Sequence, residues 1–135
     1  MALMEWSKDY SVNITEFDGQ HKKIVGFINE LHLAMREAKG KEVMGKILDE
    51  LADYTVFHFS AEERLMHQYS YPGYIKHKAE HDNLTKQVLV LVNDYKAGKS
   101  LISQEVMQFL KDWLVNHIIG SDKKYSDFLN SKGIA

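Results

Sequence analysis

A single proline, Pro72, interrupts a chain of 135 residues, and only eight glycines accompany it. That is too little turn chemistry for an all-β chain, which must reverse direction about every ten residues. The expected class is therefore all-α. The breaks that do occur, at Gly40, at Pro72-Gly73 and at Gly98, divide the chain into an N-terminal arm over residues 1–17 and four segments of helical length within residues 18–130. A chain of this length suits one compact domain spanning residues 1–135.

Each segment carries a helical stripe. Asp18 has N-cap chemistry for a first helix over about residues 19–39, in which Ile24, Phe27, Ile28, Leu31 and Met35 recur at three and four residues before Gly40 stops it. A second, over about residues 42–67, aligns Val43, Ile47, Leu51, Tyr54, His58, Glu62 and Leu65, and the stretch from Ser70 to Tyr74 ends it. The third, about residues 73–97, follows Pro72 and runs His77, His81, Leu84, Val88, Leu91 and Tyr95 down one face until Gly98. In the fourth, about residues 103–129, Ser103 opens a stripe of Val106, Leu110, Trp113, His117 and Tyr125. Short connections favour antiparallel neighbours, hence an up-down-up-down four-helix bundle covered by an extended arm whose aromatics anchor it.

Composition narrows the chemistry. The absence of cysteine excludes disulfides, thiolate zinc sites, iron-sulfur clusters and cysteine nucleophiles, so a bound metal must use nitrogen and oxygen ligands. With 17 basic and 19 acidic residues the formal charge is -2, which gives no global field for nucleic acid or an anionic membrane. No apolar run reaches the roughly 18 residues of a membrane span, and the first ten residues lack a signal-peptide core. A cytoplasmic monomer is the expectation.

The histidines break the apolar pattern. His21, His58, His77, His81 and His117 all lie on stripes that face the bundle core, accompanied by Glu62 and Asp122. One such histidine is ordinarily a hydrogen-bonded core residue. Five with two carboxylates are a different matter, because burying carboxylates among imidazoles without a cation is costly. His58 and Glu62 are four residues apart, as are His77 and His81. Each pair is therefore offset by about 40° on a helix and can reach one point from one face. Contributions from all four helices suit a dinuclear metal site. The five-residue step from His117 to Asp122 would rotate Asp122 by about 140° on a regular helix, which leaves two readings: a local widening or π-bulge near Gly120 that restores convergence, or an exposed Asp122 beside Lys123 and Lys124. His32 lies about 16 Å along the axis from His21, too far to share the centre, His67 points half a turn away from the His58 face, and Glu63, about 100° from Glu62, reads as a surface or supporting group.

These residues resemble the hemerythrin family in its single-domain bacterial form, bacteriohemerythrin. The likeness runs from the arm, Trp6 to Asp18, through His21, His58-x-x-x-Glu62 and His77-x-x-x-His81 to Trp113-Leu114-x-x-His117-x-x-x-x-Asp122-x-x-Tyr125. It implies two iron ions joined by an oxo or hydroxo bridge. His77, His81 and His117 would bind one, His21 and His58 the other, and Glu62 and Asp122 both. An open position then falls on the iron held by His21 and His58, where an end-on diatomic ligand would bind. The resemblance further implies an oxygen pocket lined by Ile24, Phe59, Trp113, Leu114 and Ile119 and covered by Trp6.

The function so implied is reversible dioxygen binding, for carriage, storage, delivery or sensing, without enzymatic turnover, and with an oxygen-consuming enzyme as the partner class. The alternative is a di-iron oxidoreductase acting on oxygen, peroxide or nitric oxide. Against it, the ferritin-like di-iron proteins use two Glu-x-x-His motifs, and no glutamate here has a histidine three positions later. A metal-free or zinc-loaded interaction module is a third reading, disfavoured by seven candidate ligands where zinc commonly takes four.

Overall fold

A computed structural model describes residues 3–99 and 101–135, so the first two residues of the expected arm lie outside the described residues. The helices are α1 (Thr15–Arg36), α2 (Lys41–Gln68), α3 (Tyr74–Lys96), α4 (Gln104–His117) and α5 (Lys123–Ser131), with no strand among the described residues. A π turn, Ile118–Asp122, joins α4 to α5 and makes them one rod, the fourth of an up-down-up-down bundle. No described helix is long and apolar enough to cross a membrane.

The arm stops sooner than expected. Helix α1 begins at Thr15, four residues before position 19, and its N-cap residue Ile14 makes no side-chain cap. Asp18 is not the cap: its carboxylate reaches backwards, accepting from the Val12 N–H at 2.8 Å and the Ser11 hydroxyl at 2.6 Å. It ties the arm to the first helical turn, across Asn13, which takes φ 57°. Asparagine is among the few residues that tolerate that conformation. Farther out, Asn29 pairs with both backbone groups of Met4, and Ser126 donates to the Val12 carbonyl. Ser103 does cap α4, accepting from the Val106 N–H at 3.3 Å.

Helix ends share one device. Ala38, Ser70, Gly98 and Gly133 all take positive φ. The next N–H returns to a carbonyl five residues back in each case, as in Lys39 to Ala34 at 2.9 Å and Lys99 to Asp94 at 2.8 Å. Gly40, expected to stop α1, is instead the extended N-cap of α2, and Ala38 makes the stop. Side chains resist positive φ, so Ala38→Gly and Ser70→Gly should each stabilise the fold by about 0.5–1 kcal/mol. Thermal unfolding checks this, and a lowered midpoint in both variants would contradict it.

Register along the helices layers the core. Ile28, Leu31, Leu48, Leu51, Val88, Met107 and Leu110 fill one half with aliphatic side chains, all buried. Phe17, Met66, Tyr125 and Leu129 close the other end. Between these layers every rod presents a histidine.

Candidate metal centre

All seven candidate ligands are buried, with His21, His81, Glu62 and Asp122 at 0 % exposure. They fall into two groups whose donor atoms lie within 4.8 Å of one another: His77, His81 and His117 with both carboxylates, and His21 and His58 with the same two carboxylates. Asp122 divides its oxygens between them. Oδ1 lies 2.9 Å from Nε2 of both His77 and His117, whereas Oδ2 lies 3.0 Å from Nε2 of His21. Glu62 Oε1 is 3.2 Å from His81 Nε2 and 3.4 Å from His58 Nε2, and Oε2 accepts from the Tyr125 hydroxyl.

The π turn makes this possible. Lys123 N–H bonds to the Ile118 carbonyl, five residues back, so the chain closes a wider turn and returns Asp122 over His117. A Cβ added at Gly120 would meet nothing within 4 Å, so the turn does not depend on the missing side chain.

Whether the site fits a cation is answered by atoms that have nothing else to do. His21 Nε2, His58 Nε2, Glu62 Oε1 and Asp122 Oδ2 are buried without a hydrogen-bond partner, although they lie close together. Each belongs to a group of candidate ligand atoms lying within 4.8 Å of one another, close enough to share one ion. His81 and His117 add a second sign. Each has Nδ1 on a carboxylate, at 2.8 Å to Glu63 and 2.7 Å to Glu80 respectively, which commits the Nδ1 proton there. Their Nε2 lone pairs then face one another at 3.1 Å. Lone pairs so placed need a cation between them, and this nitrogen and oxygen donor set suits a first-row divalent metal.

Without a metal, protons must supply the positive charge. Burial opposes charging of His117, but Asp122, Glu80 and Glu62 overcome it and push its pKa up to about 10. Burial likewise opposes His21, and Asp122 and Glu62 raise it to about 9. At His58 burial prevails and lowers the pKa to about 4. Asp122 is held well below the usual carboxylate range by its histidines despite burial.

A cavity abuts the two-histidine group. It is lined by His21, His58, His117, Phe59, Leu84, Trp113 and Leu114, and it does not admit a sphere the size of water. Phe59 stacks on His81 at 3.9 Å with the rings 6° from parallel, and the Trp113 indole N–H donates to the Leu84 carbonyl at 3.2 Å. Of the expected pocket residues, Phe59, Trp113 and Leu114 are on this wall. Ile24 is fully buried but off it. Ile119 is 48 % exposed, because the π turn rotates it outward and buries Ile118 instead. Trp6 is half-buried on the arm, against Tyr10 and under the Lys22 ammonium, and is not among the residues that line the cavity. Leu84 was not expected on the wall, though its place on the His77–His81 stripe points inward. Gln20, Glu63 and Glu80 each hold a histidine. Gln20 and Glu80 drew no attention in the sequence, and Glu63 read only as a surface or supporting group. His32 is buried and His67 exposed, both outside the two groups.

Comparison with known proteins gives a consistent picture. The model for the hemerythrin HHE cation binding domain matches residues 12–129. A bacteriohemerythrin of Methylococcus capsulatus is 39 % identical over 132 residues, covering 97 % of this chain and 100 % of that one. A hemerythrin-like protein of Naegleria gruberi is 35 % identical over 124 residues, 92 % of each chain. The solved wild-type structure of a hemerythrin superposes with a TM-score of 0.87 at 38 % identity, covering 93 % of this chain and 97 % of that one.

Proposed function

The chain belongs to the hemerythrin family, and on that premise we propose that it binds dioxygen reversibly at a non-haem di-iron centre, for carriage, storage, delivery or sensing. His77, His81 and His117 would hold one iron, His21 and His58 the other, with Glu62 and Asp122 spanning both, as their two groupings support. Two irons with an oxo or hydroxo bridge would supply a reversible redox couple and an open position for a diatomic ligand. The observation that carries the reading is the placement of the cavity: it borders both histidines of the ligand-poor group but only His117 of the other three, and its remaining wall is apolar.

The chain's own residues do the rest. Phe59, Leu84, Trp113 and Leu114 exclude water from the ligand's side of the site, which withholds the protons that would drive reduced oxygen off irreversibly. Glu63, Glu80 and Gln20 fix ring orientation through Nδ1. Tyr125, its hydroxyl proton held far above the usual range by burial and by Glu62, stays a neutral donor that holds Glu62 in place.

Visible spectra of reduced, iron-loaded protein, taken without oxygen, in air and after evacuation, test the proposal. A band that appears in air and vanishes on evacuation, with two irons per chain, is the expected result. An irreversible change would turn the reading to an oxidoreductase, and absence of iron would overturn both. His58→Ala should lose one iron and the reversible band, whereas His32→Ala should keep both, since His32 belongs to neither group.

A further inference from the structure

The outer nitrogens of the histidines meet partners of unequal charge, and those partners follow a rule. Gln20 of α1 reaches across to His58 Nδ1 of α2 at 2.6 Å. Glu63 of α2 reaches His81 Nδ1 of α3 at 2.8 Å, and Glu80 of α3 reaches His117 Nδ1 of α4 at 2.7 Å. Each partner sits directly beside a site residue in sequence yet serves the next helix, so the bonds run one way around the bundle. The ring breaks between α4 and α1, where His21 Nδ1 is buried without a partner. The Ser121 hydroxyl lies 2.7 and 2.6 Å from the two oxygens of Glu80, donates its one proton to that carboxylate and fixes it.

The consequence is a polarised pair of metal positions. Both outer carboxylates stand behind the three-histidine group, on His81 and His117, while His77 Nδ1 has no hydrogen-bond partner among the described residues. The two-histidine group has a neutral amide and an unpaired nitrogen. An imidazole that donates to a carboxylate is a more basic ligand at its other nitrogen than one that donates to an amide or to nothing. We propose that Glu63 and Glu80 are positioning residues that make the His77–His81–His117 position load first and hold the more highly charged ion. The His21–His58 position, next to the cavity, fills second and stays the weaker, more easily reduced partner. This inference rests on the metal-centre reading.

Stepwise Co2+ titration of the full metal-free chain, followed by calorimetry and by the cobalt visible bands, tests it independently of oxygen. Wild type should bind in two steps, and His58→Ala should remove only the second. Glu63→Gln and Glu80→Gln lose the charge but keep one acceptor oxygen for the histidine N–H, and at position 80 the new amide NH2 can donate to the Ser121 hydroxyl. Each should weaken the first step by about 10- to 100-fold and leave the second unchanged. Gln20→Glu should strengthen the second step and narrow the separation. In iron-loaded Glu80→Gln the one-electron potential should rise, by about 59 mV for each tenfold lost preference for the more charged ion. A purely structural role would instead lower the melting temperature and both steps together. Equal constants in wild type and variants, or loss of the first step in His58→Ala, would overturn the inference. Failure of wild type to bind Co2+ at all would overturn the metal-centre reading beneath it.

Discussion

Metal-free protein should unfold at least about 10 °C below the iron-loaded form at pH 7, and the gap should widen as pH rises to about 9. A ligand present at a thousand times its Kd stabilises the native state by about 4 kcal/mol. In a chain of this size each kcal/mol is worth roughly 3 °C. The pH dependence follows from which cations neutralise Glu62 and Asp122. In the metal-free protein the raised pKa values, about 9 at His21 and about 10 at His117, mean that the folded state holds protons the unfolded chain has released. Their stabilising effect is complete below the ordinary histidine value of 6.5 and is lost as pH rises through 9 to 10. Acid acts through other groups. His58, held neutral with its pKa near 4, resists charging in the folded state, so its contribution is present above 6.5 and fades as pH falls towards 4. The depressed carboxylates Glu62 and Asp122 contribute above their ordinary values and lose that contribution in stronger acid. Stability of the metal-free form should therefore peak near pH 6.5. Bound metal replaces the protons on His21 and His117, so the loaded form should show no decline between pH 6.5 and 9. Circular-dichroism melts across that range decide the matter, and parallel pH profiles for the two forms would refute the account.

How much of this was legible in the sequence depended on whether a feature was local. Four rods were legible because Pro72, Gly73 and Gly98 interrupt stripes of strong helical period. The stop after α1 was not, since Ala38 performs it in a conformation that side chains disfavour, and no residue-type signal marks it. Asp18 has cap chemistry but spends its carboxylate on Ser11 and Val12, a tertiary choice invisible to a local rule. The histidines stood out because imidazoles on apolar stripes demand a reason. The five-residue gap before Asp122 left a widened turn or an exposed Asp122, and a π turn occupies that place. Its side effect on register was harder to see: the same turn that brings Asp122 inward puts Ile118 inside and Ile119 outside. Gln20 and Glu80 carry no local signal, and Glu63 reads only as a surface or supporting group, because each lies on the flank of its own helix and acts on the next one. Only their adjacency to His21, His81 and Glu62 hinted at a role.

The second large effect concerns Phe59, where packing and chemistry meet in one side chain. Its ring stacks flat on His81, meets His117 edge-on at 5.5 Å, and forms part of the cavity wall. Phe59→Ala should cost about 3–5 kcal/mol, because a buried aromatic leaves both lost transfer energy and an unfilled space. At roughly 3 °C per kcal/mol the midpoint should fall by about 10–15 °C. The hole would also be bordered by His21, His58 and His117, and a cavity with polar groups at its edge and room for water fills with it. Water there brings protons to the ligand's side of the centre, so the band formed in air should decay irreversibly much faster than in wild type. Phe59→Leu separates the two contributions. Leucine keeps the wall apolar but cannot stack on an imidazole. If dryness governs the lifetime of the band, Phe59→Leu should stay close to wild type in decay while losing part of its stability. Should Phe59→Leu decay as fast as Phe59→Ala, the stack on His81 rather than the exclusion of water would be what protects the site.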